Sequence, residues 1–250
     1  MKLEVKNLGF SYPKNQAIKD INFIALEGDI VAILGVNGVG KSTMLKCINN
    51  IHKASEGDIL IDEKPIKEMK QNEIAKSIGY VSQQGQFIDG TVFENVLIGR
   101  KPFIKWNLKD KDLKEVNDAI KMVGLDELAS RHIDKLSGGE RQKVAICRVL
   151  AQKTPILMFD EPTSNLDMKN QIECLDVIEK IVKENNLIAL ISIHDLNLAL
   201  RYANKFLMLK SGQVYSFGGI ETINSKSIKD VYDIDVDVKQ NENHTFIVVK

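Results

Sequence analysis

The chain has 250 residues, with 34 Lys and Arg against 34 Asp and Glu, so its formal net charge is zero and nothing in it argues for nucleic acid as the main partner. Hydrophobic residues make up 44%, enough to fill the core of one α/β domain with insertions or of two closely joined subdomains. No run approaches the ~20 apolar residues a transmembrane helix requires, and Met1-Lys2-Leu3-Glu4-Val5 alternates like a strand and carries no signal-peptide core.

The three cysteines, Cys47, Cys147 and Cys174, sit far apart in helical patterns without metal-ligand spacing. They read as buried free thiols of a cytosolic protein, so membrane work would depend on another chain that spans.

Residues 2–28 read as an antiparallel β layer. Leu3, Val5 and Leu8 alternate with polar residues, Pro13-Lys14-Asn15-Gln16 supplies turn chemistry, and Ile18, Ile21, Phe23 and Ala25 resume the apolar rhythm. Tyr12 stands at the lip of that turn, either as a ring for a nucleotide base or as a half-exposed turn aromatic.

Ile30-Val31-Ala32-Ile33-Leu34 has the β-branched, uninterrupted character of a buried parallel strand. Gly35-Val36-Asn37-Gly38-Val39-Gly40-Lys41-Ser42 then fits G-x-x-x-x-G-K-[ST] without a gap. After Lys41 the apolar residues Met44, Leu45, Ile48 and Ile51 fall on one helical face. Strand, glycine loop and helix together predict a phosphate site. The glycines let backbone N–H groups close on phosphate oxygens, and the helix N-terminus adds partial positive charge. Lys41 would reach the β- and γ-phosphates and the Ser42 hydroxyl would ligate Mg2+.

Glu56-Gly57-Asp58 reads as a turn before a short strand, Ile59-Leu60-Ile61, with a helix around 72–76. Ile78-Gly79-Tyr80-Val81-Ser82 reads as another strand, ending at Gln83-Gln84. Thr91-Val92-Phe93-Glu94 is a capping box opening a helix through Leu97, and residues 109–123 form an amphipathic helix stopped by Gly124. Residues 127–129 read as a further short helix. The segment 85–150 therefore reads as a mostly helical insertion. Within it, Arg100-Lys101-Pro102-Phe103-Ile104-Lys105-Trp106 is a basic linker whose aromatics suit either a protein contact or packing beneath the linker.

Leu136-Ser137-Gly138-Gly139-Glu140 precedes a long helix through Leu150 and offers a second anion cradle, backbone donors and a hydroxyl at a helix N-terminus. Ile156-Leu157-Met158-Phe159-Asp160-Glu161 is a buried strand ending in two carboxylates. Asp160 is placed to hold Mg2+ and Glu161 to polarise an attacking water. An amphipathic helix covers about 170–184, and the strand 187–193 places His194 at its C-terminal end, where open α/β sheets bind ligands. His52, His132 and His244 read as solvent or packing residues. The tail shows a hairpin over 205–215, a helix over 225–232, and alternation at Ile234, Val236 and Val238 that pairs with 246–249.

In this order the motifs resemble the ATP-binding subunit of an ABC transporter, over nearly the whole chain. Gly35 to Ser42, with Thr43 following, matches the Walker A loop. Gln83 matches the Q-loop glutamine, chosen over Gln84 by the family's strand-end register, and Leu136 to Glu140 matches the family signature. Asp160 and Glu161 match the Walker B aspartate and catalytic glutamate, Ser164 to Asp167 the D-loop, and His194 the switch histidine. Tyr12 matches the aromatic that stacks on adenine, which reverses the bland reading of that residue. Val36, Val39, Cys147 and Asn165 depart from the commonest family residues, and none removes a polar ligand.

The resemblance implies an α/β fold: a P-loop NTPase core with an N-terminal antiparallel β subdomain (1–84 and 151–215), a helical subdomain (85–150) and a C-terminal extension (216–250). It implies ATP and Mg2+, the metal held by Ser42, Gln83 and Asp160, with Glu161, His194 and Gln83 in catalysis. A second ATP-binding subunit, expected to be an identical chain, would close head to tail. Each ATP would then lie between Gly35–Ser42 of one chain and Ser137-Gly138-Gly139 of the other, with Thr43 and Asp167 also among the nucleotide-binding residues. Integral membrane permease subunits and a substrate-binding protein complete the implied system, with this chain peripheral on the cytoplasmic side of the membrane. Val96 to Pro102, Ser192 to Ala199 and the tail around Val231-Tyr232 are similar to importers of iron chelates, haem and cobalamin. Molybdate or tungstate importers, and a soluble ABC ATPase of the iron–sulfur assembly type, stay open as alternatives.

Overall fold

The alternating N-terminal residues bury one face of two long strands, β1 (Lys2–Tyr12) and β2 (Asn15–Leu26), paired antiparallel with Leu3 opposite Ala25 and Val5 opposite Phe23. This computed structural model describes residues 1–250 except 14, 84, 165, 242 and 243, and His244 by its backbone alone. Next come β3 (Ile30–Leu34), buried at every residue, and α1 (Lys41–Ile48). They are followed by β4 (Glu56–Ile61), antiparallel on the far side of β1, and a short β5 (Lys64–Pro65) beside it.

Two expectations change here. The helix stops at Ile48, with Asn49 as its cap, so Ile51 lies outside it and is exposed. Glu56-Gly57-Asp58 belongs to β4, opposite Gly9 and Lys6 of β1, across a shift in register. Residues with turn chemistry here serve a strand irregularity, a use that composition alone does not separate from a reversal.

The described chain divides into two compact units, Met1–Met69 with Val182–Lys250, and Lys70–Ile181. The second contains α2 (Gln71–Ser77), β6 (Ile78–Val81), α3 (Val92–Leu97), α4 (Asp110–Val123), α5 (Gly138–Gln152), β7 (Ile156–Asp160) and most of α6 (Met168–Asn185). β6 and β7 run parallel, Gly79 opposite Leu157. Thr91 caps α3 reciprocally with Glu94, and Asn95, fully buried, spends its amide on Ile88 and Thr91, tying the preceding loop to the helix.

The expected basic linker is corrected at its first residue. Arg100 is 4% exposed, pairs with Asp112 at 3.0 Å, donates to the Ala151 carbonyl, and lies over the Phe103 ring at 4.2 Å. Phe103 thus packs against a buried cation, whereas Trp106 is 94% exposed.

The remaining elements are β8 (Ile188–Ser192), α7 (Leu196–Tyr202), β9 (Lys205–Lys210), β10 (Gln213–Gly218), α8 (Ser225–Tyr232), β11 (Val236–Asn241) and β12 (His244–Val249). In the first unit β3 lies between β8 and β9, parallel to both, and β10 turns back antiparallel on β9. Helices on both faces of such a sheet bury every side chain, which is why β3 and β8 read as unbroken apolar runs. β11 and β12 form an antiparallel hairpin. The cysteines are free and buried, and burial pushes the Cys47 and Cys174 thiols up to about 12, leaving them protonated and unreactive.

Removing Asp112 leaves the Arg100 guanidinium charged and buried without its partner. Asp112→Ala is expected to cost about 3–5 kcal/mol in urea unfolding, while Arg100→Met with Asp112→Leu recovers most of that loss.

Candidate functional site

In the first unit the phosphate-loop motif follows β3 directly. Gly35 has φ +145°, and a Cβ there would lie 2.7 Å from the Leu209 carbonyl oxygen of β9. Gly40 has φ +110°, and its Cβ would lie 2.5 Å from Ile18 Cγ2 and 2.8 Å from the Ala17 carbonyl. Both positions therefore exclude side chains on conformation and on space. Between them Val36, Asn37 and Gly38 are exposed, Val39 is buried, and α1 begins at Lys41 with no acidic residue in its first turn. Its N-terminal dipole thus stays uncompensated by side-chain charge, which suits a multiply charged anion.

Lys41 is buried, and its Nζ donates to the Gly35 carbonyl at 2.7 Å and the Val36 carbonyl at 3.2 Å. The Gly35 N–H donates to the Tyr232 hydroxyl at 2.7 Å. Ser42 and Thr43 occupy the first turn of α1.

Tyr12 is 43% exposed and belongs to an aromatic cluster. Phe10 meets it edge-on at 5.0 Å, and His52 stacks on Phe10 at 5.0 Å. The Tyr12 hydroxyl lies 3.5 Å from Thr43 Oγ1 and 3.4 Å from His52 Nε2. His52, expected to be a solvent or packing residue, packs beside the ring that sequence analysis assigns to the base. His194 follows β8 and is exposed. Because Ile33 of β3 stands opposite Ser192 of β8 in a parallel pair, the loop from Gly35 and His194 emerge from one edge of the sheet.

In the second unit β7 ends at Asp160, 2% exposed, whose carboxylate accepts from the Tyr80 hydroxyl at 3.3 Å. Burial, with this carboxylate beside it, holds Tyr80 well above the usual phenol range, so it stays a donor. Glu161 adopts φ +52°, an unusual backbone for a residue with a side chain. Its carbonyl accepts from Ser164 N–H at 3.1 Å and Ser164 Oγ at 2.9 Å, and its carboxylate accepts from Gln83 Nε2 at 2.5 Å. The structure therefore brings Gln83, Glu161 and Ser164 together.

Ser137 caps α5. Its hydroxyl accepts from the Glu140 N–H at 3.3 Å, and the Glu140 carboxylate takes the Ser137 N–H at 2.7 Å and hydroxyl at 2.8 Å. Those donors hold the Glu140 carboxyl below the usual range. Ser137 and Gly138 are exposed. A Cβ on Gly139 would touch Asn170 at 3.4 Å, and Asn170 donates from its backbone and its amide to Asp167 at 2.9–3.0 Å. Asn170 thus lies beside Gly139 and holds Asp167.

The same unit carries a cleft of about 730 Å3 whose lining includes Gln71, Tyr80, Ile98, Lys105, Arg148 and Gln152. Burial holds the Arg148 guanidinium below its ordinary value. Tyr80 is the wall residue that also reaches Asp160. Tyr80 and Asn170 carry no motif of their own, whereas Ser164 opens the segment that matches the D-loop.

The protein-family model described as ABC transporter matches residues 18–164. An uncharacterised ABC transporter ATP-binding protein of Methanocaldococcus jannaschii is 48% identical, across 94% of this chain and 92% of its own. A petrobactin import ATP-binding protein of Bacillus anthracis is 36% identical, across 94% of this chain and 88% of its own. A solved metal-chelate type ABC transporter, in an inward-facing conformation, aligns at TM-score 0.85 and 30% identity, across 99% of this chain and 97% of that one. The chain belongs to the ABC transporter family; it is an ATP-binding subunit with the cassette fold, and an ATPase.

Gly40→Ala places a methyl against Ile18 and the Ala17 carbonyl at a φ that L-residues avoid. Strain of this size is expected to weaken ATP binding by at least about 10-fold in a fluorescent-nucleotide titration.

Proposed function

We propose that this chain powers an importer of metal chelates, with iron–siderophore, haem or cobalamin complexes as the cargo class. The alignment with a metal-chelate type transporter over 99% of the chain carries this reading. The petrobactin-importing relative and the segments Val96–Pro102 and Ser192–Ala199 support it.

In this reading Gly35, Val36, Asn37, Gly38, Val39 and Gly40 wrap the phosphates with backbone donors. Lys41 moves its ammonium from the Gly35 and Val36 carbonyls to phosphate oxygens, and Tyr12 stacks on adenine. Ser42 and Asp160 are hard oxygen donors of the kind Mg2+ takes, and Gln83 adds an amide oxygen. Mg2+ supplies charge neutralisation at the phosphates. Glu161 is the general base. The αL backbone, the Ser164 bonds to its carbonyl and the Gln83 contact all fix its carboxylate, and pre-set geometry is what such a base needs. His194 completes the γ-phosphate contacts.

Ser137, Gly138 and Gly139 serve the ATP of a second cassette, and Asp167 adds a further nucleotide contact. A helix N-terminus whose first residues, Ser137 and Gly138, are exposed fits a phosphate arriving from outside the chain. The cleft lined by Tyr80, Ile98 and Arg148 receives a helix of the membrane permease, and Tyr80 relays its occupancy to Asp160. Among the described residues no helix is long and apolar enough to cross a membrane, so in this reading the chain is peripheral to a cytoplasmic membrane face.

Glu161→Gln is expected to keep ATP binding and lower turnover by about 100- to 10,000-fold, and near-normal hydrolysis would remove Glu161 from the base role. For the cargo, the chain is reconstituted in liposomes with the permease it co-purifies with. ATP-driven uptake of a ferric siderophore supports the reading, whereas phosphonate or molybdate uptake, or recovery without any permease, overturns it.

A further inference from the structure

Two side-chain contacts tie the C-terminal elements to the nucleotide-facing edge of the first unit. Asn224 caps α8 reciprocally with Ser227, Ile228 and Val231 are buried, and Asp233 at φ +58° ends the helix immediately after Tyr232. Tyr232 is therefore placed by caps at both ends of its helix, and its hydroxyl lies 2.7 Å from the Gly35 nitrogen. Independently, Asn197 accepts from the Ile247 N–H at 2.8 Å and donates to the Ile247 carbonyl at 3.3 Å, so β12 bonds to the helix that follows His194.

Gly35 is the residue at which β3 leaves the sheet. Its N–H points to Tyr232 while its carbonyl receives the Lys41 ammonium at 2.7 Å. A buried N–H demands a partner, and this one comes from the tail and not from a neighbouring strand. Burial pushes the phenol up to about 12, the Gly35 N–H working in the opposite direction, so it stays neutral and accepts through an oxygen lone pair. An acceptor at this point sets the plane of the Leu34–Gly35 peptide and, through it, where the rest of the loop begins.

We propose that Tyr232 is a positioning residue for the phosphate loop, its hydroxyl anchoring Gly35 so that the loop and Lys41 are pre-set for phosphate. The C-terminal extension is then part of the nucleotide machinery. This rests on the reading that Gly35–Thr43 holds the ATP phosphates.

The test is Tyr232→Phe, which keeps the buried ring and removes only the acceptor. Losing the acceptor for a buried N–H is expected to raise the Kd for ATP by about 10-fold. The kcat at saturating ATP should stay within about twofold, as for an interaction shared by ground and transition states. Amide exchange at Gly35 should accelerate while Ile33 stays protected. An unchanged Kd overturns the proposal, as does a fall in kcat at constant Kd that tracks lost folded protein. Wild-type exchange supplies a check that needs no variant: a Gly35 amide exchanging as fast as Asn37 also overturns it. Lys41→Ala separates the two readings. If it abolishes ATP binding while Tyr232→Phe changes nothing, only the anchor fails; if ATP binding survives Lys41→Ala, the phosphate-loop reading falls and this proposal with it.

Discussion

The backbone of Gly35 is the constraint on which the first unit's chemistry depends. The Leu209 carbonyl of β9 stands where any Cβ would go, the carbonyl of Gly35 holds Lys41, and its N–H is held by Tyr232. The parallel strand β3 supplies a rigid launch point because it is buried at every residue between β8 and β9. Five continuous apolar residues before a glycine loop are thus a single mechanical device. The sheet fixes where the loop starts, the glycines let it bend back, and α1 presents its positive end to whatever the loop encloses.

A second constraint governs the other unit, and it has the opposite character. Glu161 carries a side chain yet sits at φ +52°, a conformation that costs on the order of 1–3 kcal/mol and persists only where neighbours hold it. Ser164 holds its carbonyl and Gln83 its carboxylate. Asp160, one residue earlier, remains in the buried strand and points to Tyr80. Adjacent carboxylates are in this way turned toward different partners by the backbone alone.

The elements that were legible in the sequence are those whose signal is local. β3, β7 and β8 are unbroken apolar runs, Thr91 announces its helix through a capping box, and α8 is legible to the residue. What local reading missed is tertiary. Arg100 looks like surface charge until Asp112, twelve positions on, is brought against it in the interior. Glu56-Gly57-Asp58 has the composition of a turn, and only its partner strand β1 shows that it is a shifted register. Tyr232 reaches Gly35 across a separation of 197 residues, which no periodicity encodes. The aromatic pair of the linker was readable only as a pair, whereas the fold assigns Phe103 to Arg100 and leaves Trp106 outside.

On the proposed reading the N-termini of α1 and α5 serve one ligand from two chains, and their charges differ. The first turn of α1 carries no acid and a buried lysine, so its field is positive in both side chain and dipole. The first turn of α5 contains Glu140, whose carboxylate already takes the N–H and hydroxyl of Ser137. That cradle contributes hydrogen-bond donors and a helix end with little net charge. On the proposed reading a triphosphate is captured by the first cradle and completed by the second, whose own carboxylate opposes an incoming anion. On the proposed reading this ordering makes ATP binding a property of one chain and closure a property of two.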